Sequence, residues 1–304
     1  LSIFLSGRQN ESKSVILQDK YTHSEPLYGG FSYPPPRHDL FPMALYRMPY
    51  HLYHPFASVL TDFGCPYNCS FCNSHIIGYR TREIENLVKE LDLLATMGIH
   101  QIFIKDMTFG AKRSHALKVL DVLKGYHFRW NCYSRADILD EELIIKMREA
   151  GCHLVQIGVE SADEGLMERY GKKVSLEKTK KTFSLLKKNG IKAGAHFILG
   201  LPGDTMDGIE RTIRLALELR PSYASFNLAM PRLGTEMEAR DWKDKALNSS
   251  GKKPYYSMPG VSEGEIIRLR NMAYRKFYMR AGYILKLIAE IRTPYQLKNL
   301  ISQA

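Results

Sequence analysis

The chain has 304 residues, 44% of them hydrophobic and 25% charged. That is enough apolar material for one large domain with an appendage or two modest domains, and it excludes a fold held together by disulfides alone. No apolar run reaches the roughly 18 residues of a bilayer-spanning helix, and LSIFLSGRQNESK has neither the basic start nor the apolar length of a secretory signal peptide. The net charge of +11 favours anionic partners, yet the charges are scattered along helices such as KKTFSLLKKNG. They lack the interleaved aromatics of a single-strand platform, so nucleic acid is not expected as a partner. Five cysteines cannot all pair with one another. With no export signal the expected compartment is reducing and cytoplasmic, where clustered cysteines serve metal or redox chemistry. The chain begins with Leu1 rather than Met, so a preceding portion is expected.

Residues 1–55 carry no regular period, and SYPPPRHDLFPMALYRMPYHLYHP holds six prolines. The expectation is an N-terminal extension or linker draped over a surface. From Phe56 the texture changes. FASVLTD reads as a buried strand ending at a loop, and REIENLVKELDLLATMG as a helix stopped at Gly98. Then alternate the strand IHQIFIKD, the helix SHALKVLDVLKG, the strand HFRWNCYS, the helix DEELIIKMREAG and the strand HLVQIGVE. A helical region ending in KTKKTFSLLKKNG leads to the strand IKAGAHFILG, the helix MDGIERTIRLALELR and a last strand, SYASFNLAM. Six strands alternating with helices predict an α/β fold with a parallel sheet. Pattern alone leaves a partial barrel and an open doubly wound sheet as the two options. In both, ligands gather at the C-terminal ends of the strands. Residues 56–232 form this core. Residues 233–304 form a C-terminal extension, loop-like to Gly260 and then a long helix or helix pair, with Ser262 and Glu265 as a capping box.

Three of the five cysteines, Cys65, Cys69 and Cys72, sit in GCPYNCSFCN directly after the first strand. Three thiolates in one tight loop can converge on one inorganic centre. Closed zinc sites want four protein ligands, commonly as two separated pairs. Ordinary four-iron clusters also take four cysteines. Three leave a coordination position open, as a catalytic metal requires. A zinc-stabilised interaction domain and a non-catalytic iron–sulfur protein are the alternatives.

The C-x3-C-x2-C spacing, with aromatic Phe71 before the last cysteine, resembles the signature of the radical S-adenosylmethionine (SAM) superfamily. The resemblance implies a partial (β/α)6 TIM-like barrel with a C-terminal helical extension. It implies a [4Fe-4S] cluster held by Cys65, Cys69 and Cys72, with SAM chelating the fourth iron. One electron would cleave SAM to methionine and a 5′-deoxyadenosyl radical. It further implies a SAM pocket drawing on Asp106, Glu160 with Ser161, the Gly200–Pro202–Gly203 turn, and Leu228 and Met230. The fork-shaped guanidinium of Arg135, just past the third strand, suits a carboxylate of SAM or of the substrate, with a helix cap or structural ion pair as the alternative. His196 is expected to be a satisfied interior histidine, and Cys132 and Cys152 small buried hydrophobes.

Two further stretches, PPPRHDLFPMALYRMPYHLYHPFASVLTDFGCPYNC and AYRKFYMRAGYI, resemble the cobalamin-dependent group. That group includes the anaerobic Mg-protoporphyrin monomethyl ester cyclases and radical C-methyltransferases. Methylation of an unactivated carbon is the leading reaction that follows, with oxidative cyclisation or rearrangement second. The implied partners are a small-molecule substrate, lipid-like or tetrapyrrole-like, and an electron donor such as ferredoxin or flavodoxin. No βαβ cobalamin-binding pattern precedes the linker, so a fragment, a corrinoid-free enzyme and a separate cobalamin-binding chain are all open. The apolar face of MRAGYILKLIAEIR, flanked by Arg and Lys, offers a membrane-surface contact, with packing on the barrel as the alternative.

Overall fold

The structure, a computed structural model, describes residues 28–48, 50–230 and 261–289, with 16–17, 20–21, 232, 235 and 291 besides. Most of 1–27 and of the expected loop 231–260 thus lies outside the described residues. In chain order, β1 (Gly29–Phe31) is followed by β2 (Phe56–Val59), β3 (Asp62–Gly64) and β4 (Tyr79–Arg82). Then come α1 (Ile84–Thr96), β5 (Gln101–Ile104), α2 (Arg113–Leu123), β6 (Arg129–Ser134), α3 (Glu141–Glu149) and β7 (Cys152–Glu160). Helices α4 (Glu164–Arg169) and α5 (Leu176–Lys188) precede β8 (Lys192–Leu199), α6 (Met206–Leu219) and β9 (Tyr223–Leu228). Two helices, α7 (Glu263–Tyr278) and α8 (Ala281–Ala289), follow.

The main sheet has the order β9-β8-β7-β6-β5-β2, and every pair in it is parallel. Sequence neighbours among these six strands are spatial neighbours, without the reversal that defines a doubly wound sheet. The sheet is also strongly curved. The Tyr50 ring lies 6.4 Å from Phe103 on β5 and 5.5 Å from Tyr223 on β9. Those strands are four positions apart and would be separated by roughly 19 Å in a flat sheet. One ring reaches both only because the sheet wraps around it. The partial barrel is therefore the correct alternative, and the sheet is not closed.

Alternation along the strands sorts the two faces. Outward residues such as Trp130, Cys132, Ala195, Phe197 and Phe226 join one apolar core with the inner faces of the helices. Cys132 and Cys152 are fully buried there, as small hydrophobes. Inward residues include Asn131, Tyr133, Gln156 and His196, with the aliphatic Leu154 and Ile198 beside them. His196 Nδ1 sits 2.7 Å from Ser225 Oγ and its Nε2 3.1 Å from Gln156 Oε1. Burial pushes its pKa down, and it is the satisfied interior histidine that the sequence suggested. Polar side chains start the helices: Asp140, Asp163, Ser175 and Thr205 each accept a backbone N–H, and Ser262 with Glu265 closes the expected capping box.

A three-stranded sheet of order β1-β4-β3 lies apart from the barrel strands. Sequence reading placed β1 within an irregular linker and gave Arg82 to the following helix. Arg82 instead ends β4, fully buried, with its guanidinium on the Glu90 carboxylate and over the Tyr33 ring at 4.1 Å. His38 reaches the same carboxylate at 2.8 Å. This network fixes the proline-rich segment to α1.

The open edge at β9 is closed by side chains. The Tyr274 hydroxyl accepts from Phe226 N at 3.1 Å, and Tyr278 accepts from Ala224 N at 3.0 Å while donating to Ala224 O at 2.7 Å. Tyr283 of α8 donates to Ser222 O at 3.0 Å. The expected C-terminal helix is thus a pair that packs on the barrel edge, while Leu285 and Ile288 of α8 stay exposed. No described helix is long and apolar enough to cross a membrane.

Candidate functional site

The cysteine loop is the connection of a β-hairpin. Strands β3 and β4 pair antiparallel from Asp62↔Thr81 to Gly64↔Tyr79, so residues 65–78 loop out from a pinched base. Gly64 has φ +81, and a Cβ there would lie 1.7 Å from the Gly78 carbonyl oxygen. Only glycine permits that approach. Within the loop, Cys72 N donates to Cys69 O at 2.9 Å, which folds the second and third cysteines together. Across it, Ser70 N donates to Tyr170 O at 3.0 Å. Gly171 approaches so closely that a Cβ would lie 2.6 Å from Asn68 O. The 170–172 segment after α4 therefore braces the loop from the far side.

All three thiols are free. Cys69 is buried, and Cys65 and Cys72 are half-buried. Cys65 Sγ lies 3.5 Å from Thr108 Oγ1, and the Cys72 thiol donates to Ser74 Oγ at 3.3 Å. Two cations stand beside the loop. Arg135 Nη1 donates to Cys69 Sγ at 3.5 Å, and Lys172 pairs with Glu160 at 2.7 Å. Burial pushes the Cys69 thiol up, and these two cations oppose the shift.

The loop opens on a cavity of about 700 Å³, lined by Phe71 and Cys72 together with Met107, Glu160, Leu228, Met230 and Tyr274 among others. It lies at the C-terminal ends of the strands, where barrels of this kind place their chemistry. A second cavity of about 730 Å³, between Lys192, Ser222 and Tyr283, lies at the opposite ends of β8 and β9 and away from the thiols.

Phe71, Glu160, Leu228 and Met230 thus come together with Cys72 around one space. The other expected residues stand elsewhere. Asp106 is fully buried and accepts from Thr61 N at 2.7 Å, Asp62 N at 3.0 Å and the Thr61 hydroxyl. Its neighbour Met107 takes the cavity wall. Both oxygens of Asp137 hold the Arg135 fork, at 3.0 and 2.8 Å. Ser161 is buried, 3.4 Å from Thr212 Oγ1. Gly200 has φ +79 and donates to Asp204 Oδ2 at 3.0 Å, while Leu201 beside it lines the cavity. Pro202 O accepts from Tyr170 OH at 2.9 Å, and Gly203 packs on the Arg169 guanidinium. Sequence reasoning missed Lys172, Asp137 and Tyr67, whose ring centre lies 4.0 Å from the Arg135 guanidinium carbon, and also the α7 residues Ile267, Arg270 and Tyr274 that close the cavity.

Residues 60–216, just over half of the chain, match the sequence model of the radical SAM superfamily. The chain belongs to the radical SAM superfamily. It is similar to an uncharacterised methyltransferase of Pyrococcus horikoshii, 32% identical over 84% of this chain and 58% of the relative. It also resembles the anaerobic magnesium-protoporphyrin IX monomethyl ester cyclase of Rubrivivax gelatinosus, 27% identical over 73% of this chain and 42% of that protein. Among solved structures it matches the radical SAM methyltransferase TsrM of Kitasatospora setae, which holds cobalamin and a [4Fe-4S] cluster. That match has a TM-score of 0.53 and 25% identity, and it covers 57% of this chain and 36% of TsrM. The chain spans about half the length of the curated relatives it matches.

Radical SAM enzymes use a [4Fe-4S] cluster and SAM, and the residues here fit that pair. Three free thiols share one pinned loop, the Arg135 guanidinium and the Lys172 ammonium stand beside it, each paired with a carboxylate, and a cavity opens beside Cys72. Among the described residues no three His, Cys, Asp or Glu side chains converge on a single ion. A four-iron cluster does not ask for that, because each cysteine takes a different iron.

Proposed function

We propose that this chain is the radical-generating core of an enzyme that methylates an unactivated carbon of a small molecule. What carries the reading is the meeting of the three-cysteine loop with one large cavity at the barrel mouth. Cys65, Cys69 and Cys72 would hold the cluster. When bound and reduced, it supplies the electron that cleaves SAM to methionine and a 5′-deoxyadenosyl radical. The chain's own residues contribute the rest. The Gly64–Gly78 pinch and the 170–172 brace fix the loop. Glu160 presents an acceptor to an amine or hydroxyl in the cavity, and Lys172 holds that carboxylate in place. Phe71, Leu228 and the wall from α7 exclude water from a reactive primary radical.

The methyltransferase relatives support methylation, and the cyclase relative keeps radical oxidative cyclisation as the second reading. The same proposal includes a corrinoid held by a preceding portion or a separate chain, as the cobalamin of TsrM suggests. A low-potential donor of the ferredoxin or flavodoxin type suits the basic surface of a chain with net charge +11. A cytoplasmic site of action, with the exposed side of α8 against a membrane surface, belongs to the same reading.

The test is anaerobic reconstitution with iron and sulfide, then SAM and dithionite, with chromatography for 5′-deoxyadenosine. Wild type should form it, and Cys69→Ala should not. A four-iron protein that leaves SAM intact points to a non-catalytic cluster, and retention of zinc in place of iron overturns the reading. Added methylcobalamin should permit methyl transfer to an acceptor if the corrinoid proposal is right.

A further inference from the structure

The Arg135 side chain is held by three contacts that together leave it one direction to act. Its Nε and Nη2 are taken by the two Asp137 oxygens, and its guanidinium carbon lies 4.0 Å from the Tyr67 ring centre. The remaining nitrogen, Nη1, donates to Cys69 Sγ at 3.5 Å. The residue is only 8% exposed, so it cannot turn its fork to a ligand carboxylate without leaving Asp137. A structural ion pair would account for the Asp137 contacts alone. It does not account for a planar cation stacked on one loop residue and aimed at the sulfur of another.

We propose that Arg135 is a positioning residue that sets the reduction potential of the cluster held by the cysteine loop. This rests on the cluster reading above. The reduced cluster carries one more negative charge than the oxidised one. A permanent cation and an N–H aimed at a ligand sulfur stabilise the reduced form, more strongly in a buried setting than in water. Asp137 works in the opposite sense. Its carboxylate aims the guanidinium and also cancels part of its field. Arg135 thus moves the couple up toward the reach of a cellular electron donor, and Asp137 limits how far.

The experiment is an EPR-monitored redox titration of the anaerobically reconstituted full chain, with iron and sulfide counted for each variant. At the wild-type midpoint, Arg135→Gln should lower the reduced-to-oxidised ratio about tenfold, a shift of about 59 mV for a one-electron couple. Asp137→Asn should shift the midpoint the other way, and Arg135→Lys should fall between wild type and Arg135→Gln. Should Arg135→Gln fail to hold four irons, the other two variants carry the same test. A midpoint that does not move, or that moves in one direction for both Arg135 and Asp137 variants, overturns the proposal while leaving the function standing. A wild-type chain that assembles no cluster overturns both.

Discussion

Lys172 Nζ lies 2.7 Å from Glu160 Oε1 and also donates to Gly158 O at 2.8 Å, with both side chains buried. Glu160 has φ +70, an uncommon conformation for a residue with a Cβ. The pair holds that backbone turn, the end of β7 and the brace behind the cysteine loop together. Lys172→Met leaves a buried carboxylate unpaired and should cost about 3–5 kcal/mol. Lys172→Met with Glu160→Met should cost much less than the two single changes added together. Urea denaturation of all three variants reads this directly, and additive losses would show that the pair is not a unit.

Gly64 and Gly98 both have positive φ, +81 and +71, but only Gly64 faces a clash. Alanine at 98 meets nothing within 4 Å and should cost about 1 kcal/mol in backbone strain alone. Alanine at 64 drives its Cβ into the Gly78 carbonyl and must reopen the hairpin. Gly64→Ala should therefore lose both stability, by more than about 2 kcal/mol, and iron bound per chain after reconstitution. Equal effects of the two substitutions would contradict the pinched loop base.

The contrast between those glycines mirrors what the sequence could reveal. The six barrel strands were legible because apolar runs such as QIFI and helices such as IENLVKELDLLAT carry strong local periods. The cysteine loop was legible from spacing. The hairpin that presents it was not, since β3 has three residues and its partner lies across a 14-residue connection. Lys172, Tyr67 and Asp137 were missed for a related reason. In the sequence they are an ordinary lysine, tyrosine and aspartate; Lys172 and Asp137 pair with near neighbours, Glu160 and Arg135, and what those pairs serve shows only when Arg135 meets Cys69 and Tyr67 from over 60 residues away. The orientation of Asp106 was not legible, because an acid after a strand looks the same whether it faces a ligand or turns to the backbone of Thr61 and Asp62, as it does here.

That placement gives Asp106 a pH signature. Burial pushes its carboxyl from 3.8 up to about 6, against the opposing pull of the Thr61 and Asp62 donors. Asp62 beside it is also raised, by burial first and then by the Asp106 charge. A carboxyl whose folded value exceeds its unfolded one binds its proton more tightly when folded. Its contribution is complete below about pH 4 and is lost as pH rises through about 6. Asp106→Asn cannot titrate. Relative to wild type, this variant should gain on the order of 2–3 kcal/mol between pH 4 and pH 7, on top of a constant offset for the altered hydrogen bonds. Urea denaturation of metal-free protein across that range checks it, and a difference that does not vary with pH would show that Asp106 titrates normally.

The tyrosines at the β9 edge make the last prediction. Edge strands expose unpaired N–H and C=O groups that recruit other chains, and here α7 and α8 answer them with hydroxyls. Tyr278 serves both groups of Ala224, at 3.0 and 2.7 Å, so Tyr278→Phe unpairs two backbone groups with one change. Tyr274→Phe unpairs only Phe226 N. Each lost partner should cost about 1–3 kcal/mol, with Tyr278→Phe the more damaging. Hydrogen exchange should speed most at Ala224 in the first variant and at Phe226 in the second, beyond the common increase that the lost stability gives the central strand β7. If exchange along β9 is the same in both variants and wild type, water already serves those groups, and the helices cover the edge by packing alone.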